Sequence, residues 1–337
     1  MQKKDIPTPS TPTPDGGPLE LALRPSRWEE YIGQEKVKRN LRLIIEAAKH
    51  RGEAPDHLLF YGQAGLGKTT LAHLIGHETG ARVHVTAGPA LEKAGDIAAI
   101  LSNLETHDIL FIDEAHRVNK LAEEILYPAM EARTLHLVMG KGPSARAFSL
   151  DLPSFTIIAA TTRVNLLSAP LRSRFGATFR LDYYEPEDIE RILARSAEII
   201  GIPLTSGART LLARAARFTP RTANRLLKRA RDYAEIHGAG RVDETTAEAC
   251  LAMFEIDSLG LEETDRGLLR TLITKWNGGP VGLKALAAAL NEDPGTIEDV
   301  YEPFLMKMGF LHRTPAGRVA TKDAYLHLGL PPHPSLV

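Results

Sequence analysis

A single cysteine in 337 residues, Cys250, excludes an internal disulfide and suggests a reducing compartment. No uninterrupted apolar run approaches the roughly 18 residues of a membrane span, and the N-terminus lacks the apolar core of an export signal. A cytoplasmic chain with no membrane partner is therefore expected. An excess of one charge is missing too: 41 Lys and Arg stand against 42 Asp and Glu, a formal net charge of −1. That balance excludes a global polycation, so any grip on nucleic acid has to come from local clusters. Two such clusters exist, Arg209 to Arg231 and Lys307 to Lys322, both free of acids. Residues 1–18 are Pro/Thr-rich without apolar periodicity and read as a flexible tail.

The remaining length predicts two or three compact units. From residue 19 to 182 the runs "HLLFYG", "RVHVTA", "DILFID" and "FTIIAATT" alternate with helical stretches. That alternation predicts an α/β domain, a mostly parallel sheet covered by helices. From 183 to 256 the strands stop, and four helical patterns predict a small all-helical domain. From 257 to 337 come helices and then "GFLHRTPAGRVAT", which reads as a β-hairpin; together they predict a winged helix.

The sharpest motif is Gly62, four residues, then Gly67-Lys68-Thr69, with Gly65 inside it. This is a phosphate-binding loop: glycines let backbone N–H groups close on an anion, and the following helix directs its dipole at the same charge. Lys68 supplies a point charge for the β- and γ-phosphates, and the Thr69 hydroxyl can ligate Mg²⁺. A second apolar run ends in Asp113-Glu114, where ligands of open α/β sheets bind. Asp113 is expected to hold Mg²⁺ through water, and Glu114 to orient or deprotonate the attacking water. The pair of motifs predicts hydrolysis of a nucleoside triphosphate. A third strand ends in Thr161-Thr162, a polar tip that could touch the γ-phosphate. Arg174 and Arg221 are arginines of the kind that stabilise charge during such hydrolysis, although charge alone selects neither. His73 and His77, one helical turn apart beside Glu78, lack a third ligand at metal spacing and read as packing or solvent residues.

Phosphate loop, Asp-Glu strand end, polar strand tip, arginine, then a helical lid with an arginine: in that order the chain resembles the AAA+ ATPases. Within them it is most similar to the RuvB family of bacterial Holliday-junction branch-migration motors. The stretches "LRPSRWEEYIGQ", "GPALEKAGDIAAIL", "LYPAMEA", "APLRSRFG", "TKWNGGPVGLKALAAAL" and "TIEDVYEPFLMKMGFLHRTPAGRVAT" carry that likeness. The resemblance implies ATP as substrate, with Leu23, Arg24, Tyr31 and Ile32 around the adenine and phosphates. It adds Thr70 to the phosphate cradle, Tyr184 at the lid hinge, Thr162 as the strand-tip sensor with Thr161 the second choice, and Arg221 as the lid sensor. Arg174 becomes a finger acting on the neighbouring subunit, which implies a ring, in this family a hexamer. The implied partners are four-way junction DNA, a RuvA-like junction-binding protein and a RuvC-like resolvase. The other reading is a DNA-bound switch or loader that uses ATP for assembly. Departures from the family pattern are Gln63-Ala64 in the loop, Ala159, Phe218 and Ala316.

Two surfaces remain. Glu298, Asp299 and Glu302 make the third helix of the predicted winged helix acidic, so DNA contact is expected from the wing, through Arg313 and Arg318 flanked by Lys307 and Lys322. Such a grip reads backbone and not bases, and is salt-dependent; a winged helix used for protein contacts is the alternative. Residues 134–153 alternate apolar side chains on both arms of a Gly-Pro turn and predict a hairpin. If it projects, Phe148 and Leu150 form a partner site, in RuvB-like proteins the one that docks RuvA; burial in the same domain is the alternative. The lid's basic run is expected to face triphosphates and a subunit interface.

Overall fold

The computed structural model describes residues 17–139, 146–238 and 240–332. The predicted tail, apart from Gly17 and Pro18, and the Gly-Pro turn at 142–143 lie outside the described residues. The chain forms two compact units, one up to Tyr184 and one from Glu185 onward.

In the first unit α1 (Pro18–Leu23) precedes α2 (Glu35–Arg51). Helix α2 buries Val37, Leu41, Ile45 and Ala48, one stripe at helical spacing, and stops at Gly52 after a basic last turn. Then follow β1 (Leu58–Tyr61), α3 (Lys68–Thr79), β2 (Val83–Ala87), α4 (Ala94–Leu101), β3 (Ile109–Asp113) and α5 (Lys120–Ala132). Next come β4 (Thr134–Met139), β5 (Arg146–Asp151), β6 (Thr156–Thr161), α6 (Ala169–Arg172) and β7 (Ala177–Arg180). Five strands pair in parallel in the order β2-β3-β6-β1-β7. Strand β6 is buried at every position, as a central strand covered on both faces must be. One of its faces, with Ile157 and Ala159, joins Leu110 and Ile112 of β3 in a core closed by Ile97, Leu101, Ala122 and Leu126. Ala159 is thus a fully buried packing residue.

The order matters for chemistry. Because β6 lies between β3 and β1, its tip falls between the Asp-Glu strand end and the phosphate loop. Strand β7 escaped the sequence reading. It is four residues long at the sheet edge, and only Phe179 is buried, so its apolar signal is one residue deep. Strands β4 and β5 form their own antiparallel ribbon, with Leu137 opposite Phe148 and Leu135 opposite Leu150.

The second unit begins with α7 (Pro186–Ile200), α8 (Ser206–Ala215), α9 (Pro220–Ile236) and α10 (Glu244–Met253). Threonine or aspartate caps open the last three of these, each accepting a backbone N–H. Then come α11 (Glu263–Trp276), α12 (Leu283–Leu290) and α13 (Pro294–Thr296), which runs through a π-turn at Ile297–Tyr301 into α14 (Glu302–Lys307). The hairpin β8 (Leu311–Thr314) and β9 (Gly317–Ala320) and the short α15 (Lys322–His327) close the chain. An isolated antiparallel bridge joins Val281, before α12, to Arg318 of the two-stranded wing. Leu268, Leu272, Leu286, Ile297, Phe304 and Leu311 form its core.

Candidate nucleotide and DNA sites

Strand β1 breaks at Gly62 and re-forms as α3 at Lys68. Gly62 has φ 146°, and a Cβ there would lie 2.4 Å from the Leu181 carbonyl oxygen; Gly67 has φ 94°, and a Cβ would meet Tyr31 Oη at 2.9 Å. Only glycine fits both positions. The wall behind Gly67 is a buried tyrosine pair. Tyr184 Oη lies 3.2 Å from Tyr31 Oη and 3.3 Å from the Leu66 carbonyl oxygen. Burial, reinforced by Tyr184, holds the Tyr31 hydroxyl well above its usual pKa, so it is a neutral hydrogen-bonding group. Leu23 is buried and Ile32 half-buried. Arg24 lies near α3, where its charge adds to burial in lowering the pKa of His73.

Lys68 is nearly buried and donates to the carbonyl oxygens of Gly62 at 2.8 Å and Gln63 at 2.7 Å. The ammonium thus folds over its own loop, and a phosphate has to compete with two neutral acceptors for it. Gln63 takes part through its backbone, which the departure from the family pattern leaves intact. Thr69 and Thr70, both half-buried, form the first turn of α3.

At the end of β3, Asp113 Oδ1 accepts the Glu114 N–H at 2.8 Å. Glu114 adopts φ 46°, a left-handed turn unusual for a non-glycine residue, and its carboxylate pairs with exposed Arg117 at 2.9 Å. The two threonines of the β6 tip differ. Thr161 is buried, its hydroxyl 2.9 Å from His116 Nδ1 and accepting the Arg163 N–H at 3.0 Å. Thr162 is exposed at the tip. His116 ties the Asp-Glu turn to β6 and escaped the sequence reading, although its place two residues after Glu114 in "DEAH" was a signal.

Arg174 donates to the Pro170 carbonyl oxygen at 2.6 Å, pairs with Glu131 at 3.0 Å and lies 4.5 Å above the Tyr127 ring. Its partners thus come from α5 and α6 and not from the phosphate loop. In the second unit Arg221 is exposed in the first turn of α9.

The wing corrects one expectation. Arg318 is buried, with Nε 2.5 Å and Nη2 3.2 Å from the two carboxylate oxygens of buried Glu302. A fork-to-fork pair with both partners out of solvent is structural, so Arg318 is withdrawn as a DNA contact. Arg313 is exposed and pairs with Glu298. The acids of the third helix therefore serve in part as counter-ions of the wing arginines. The lid's basic run is likewise compensated: Arg209 pairs with Glu190, Arg217 with Asp265, Arg225 with Glu262, and Arg229 and Arg231 with Asp232. On the β4–β5 ribbon, Phe148 and Leu150 are 49% and 44% exposed. They lie on the surface of their unit and are not buried within it.

A phosphate loop, two strand-end acids and a polar tip between them can bind a nucleoside triphosphate and aim a water at its terminal phosphate. Hard oxygen donors from Thr69 and Asp113 suit Mg²⁺, which takes one or two protein oxygens and completes its shell with substrate phosphates and water. The comparisons with known proteins agree with this chemistry. Residues 23–181 match the family described as Holliday junction DNA helicase RuvB P-loop domain, 184–257 match the RuvB AAA lid domain, and 258–329 match the RuvB C-terminal winged helix domain. The chain is 54% identical over 312 residues to the Holliday junction branch migration complex subunit RuvB of Rubrobacter xylanophilus, covering 93% of this chain and 88% of that one. It is 56% identical over 317 residues to the protein of that name from Chloroflexus aggregans, covering 94% and 91%. It is also similar to the solved Thermotoga maritima RuvB Holliday junction branch migration motor, at 46% identity and a TM-score of 0.84, covering 92% of this chain and 99% of that one.

Proposed function

The chain belongs to the RuvB family, and from that premise we propose how its residues divide the work of an ATP-driven Holliday-junction branch-migration subunit. It is a P-loop ATPase and helicase of recombination and repair. The observation that carries the division of labour is the strand order, with the β6 tip between the phosphate loop and the Asp113-Glu114 turn.

Gly62, Gly65 and Gly67 shape the cradle, and Tyr31 and Tyr184 back it beside Leu23, Arg24 and Ile32. Lys68 exchanges the Gly62 and Gln63 carbonyls for the β- and γ-phosphates of ATP, with Thr70 alongside. Mg²⁺, when bound at Thr69 and Asp113, would neutralise phosphate charge. Glu114 leaves Arg117 to accept a proton from the attacking water, which cleaves the γ-phosphate from ADP. Thr162, the exposed threonine of the tip, is the sensor; Thr161 is committed to His116 and the fold. Arg221 is the sensor on the lid.

Arg174 reaches its target on a neighbouring subunit after exchanging Glu131 for phosphate. A site completed in trans needs a ring, for which we take the hexamer. Arg313 contacts the DNA backbone. Phe148 and Leu150 dock a RuvA-like junction-binding protein, because exposed apolar side chains on a separate ribbon suit a partner contact. A RuvC-like resolvase acts on the same junction, and the reduced, buried Cys250 fits the cytoplasm.

Mixing variants tests the shared site. Arg174→Ala subunits alone are expected to lose at least about 1,000-fold in ATPase rate, the low end of what transition-state arginines supply, and Lys68→Ala subunits alone are expected to be similarly impaired. Mixed, they are expected to regain part of it, because one interface then carries an intact Lys68 and an intact Arg174. Absence of rescue at every mixing ratio contradicts a finger acting in trans.

A further inference from the structure

Between α8 and α9 the chain turns a corner at Arg217 and Phe218, with left-handed φ angles of 52° and 57°. L side chains rarely adopt that conformation, and bulky ones least of all. Both side chains there engage the winged helix. Arg217 donates to Asp265 at 3.2 Å, lies 3.9 Å from Glu262 and stacks 4.1 Å above the Phe304 ring. Asp265, in the first turn of α11, has no exposed side-chain surface and also accepts the Glu262 N–H at 2.9 Å. Phe218 packs on the same Phe304, ring centroids 6.4 Å apart, and Lys307 Nζ lies 5.2 Å over the Phe218 ring. Further along α9, Arg225 pairs with Glu262 at 2.8 Å. On the connection to α11, Gly260 comes so close to Ala215 that a Cβ would lie 2.5 Å from its carbonyl oxygen.

The lid corner, the start of α11 and helix α14 therefore meet at one place. Its chemistry resists sliding. The Asp265 carboxylate is buried with the Arg217 guanidinium as its partner, and separating them leaves a charge uncompensated out of water. The Phe304 ring stacked on the same guanidinium adds a second directional contact. Thr219 and Pro220 follow at once, and Arg221 stands four residues after Arg217.

We infer that Arg217 and Phe218 are positioning residues that join the winged helix rigidly to the lid, so that the two move as one body through the ATPase cycle. The inference rests on the motor reading. It adds that a displacement started at Arg221 reaches the wing without a soft joint between them.

The test uses the full chain with spin labels on cysteines introduced at exposed Ile236 in the lid and exposed Val300 in the winged helix; native Cys250 is buried. The wild type is expected to show one narrow distance, unchanged between ADP and a non-hydrolysable ATP analogue. Arg217→Gln and Phe218→Gly are each expected to broaden it. In the same proteins without labels, junction migration per ATP hydrolysed is expected to fall about fivefold or more, with basal ATPase within about twofold of wild type. Phe218→Gly keeps the test open if Arg217→Gln fails to fold, because glycine accepts the left-handed angle. A wild-type distance that shifts with nucleotide, or variants with unchanged distances or unchanged migration per ATP, would overturn the inference. If the wild type hydrolyses ATP and moves no junction, the motor reading fails, and the distances still decide the joint.

Discussion

At the residue scale, two arginines five positions apart on one hairpin have opposite surroundings. Arg313 is exposed and shares Glu298 with solvent, whereas Arg318 is sealed against Glu302. Arg313→Ala is expected to leave thermal stability unchanged and to lower the slope of log binding constant against log salt by about 1 for duplex DNA. Arg318→Ala is expected to destabilise by about 3–5 kcal/mol, because Glu302 would remain buried without its partner. Urea denaturation and a salt titration of DNA binding check the pair. Equal changes in salt slope for both variants, with stability preserved, would contradict this division. The sequence showed the charge of each arginine but not its surroundings. Glu302 lies 16 residues before Arg318, and only the packing of α14 against the wing brings them together. The same reason explains the lid, where acids from other elements reach Arg209, Arg217 and Arg225 across 19, 48 and 37 residues.

At the element scale, the phosphate loop was legible because its chemistry is contiguous: strand, glycines, lysine and helix follow one another within Leu58–Thr79. The Asp113-Glu114 strand end and the wing hairpin were legible for the same reason. The ties between elements were not. His57 is one. The Ile157 N–H of β6 donates to its Nδ1 at 2.8 Å, and its Nε2 donates to the carbonyl oxygen of Met130, on the buried face of α5, at 3.2 Å. The first bond requires an unprotonated Nδ1 and so the neutral ring; the second fixes the remaining proton on Nε2. Burial, with the Arg133 charge second, lowers its pKa from 6.5 to about 4. The unfolded chain therefore binds a proton in the window from about 6.5 down to about 4 that the folded chain refuses. Stability contributed here is present near neutrality and lost as pH falls through that window, on the order of 3 kcal/mol in all. The difference in unfolding free energy between wild type and His57→Gln is expected to shrink from pH 7 to pH 5. A difference independent of pH would show that the neutral ring is not what the site selects.

At the scale of the whole molecule, the three charged groups to which the proposal gives the chemistry are each held by a contact within the fold. Lys68 rests on loop carbonyls, Glu114 on Arg117, and Arg174 on Glu131. Each of these ties joins a charged side chain to a neutral acceptor or to a partly exposed partner, so ATP and a neighbouring subunit can displace it at modest cost. On the proposed division of labour, binding assembles the site, and a lone subunit is expected to be a poor ATPase. Assembly alone would also serve a switch that uses ATP to close on DNA and hydrolysis to reset. Motor and switch part company only when DNA strands are followed during turnover. The most direct measurement is dissociation of a synthetic four-way junction by the full chain, its junction-binding partner and ATP, with Glu114→Gln beside wild type. Wild type is expected to resolve the junction into duplex arms while Glu114→Gln binds ATP and junction and leaves it intact. Steady ATP hydrolysis by wild type with the junction still whole would contradict the account.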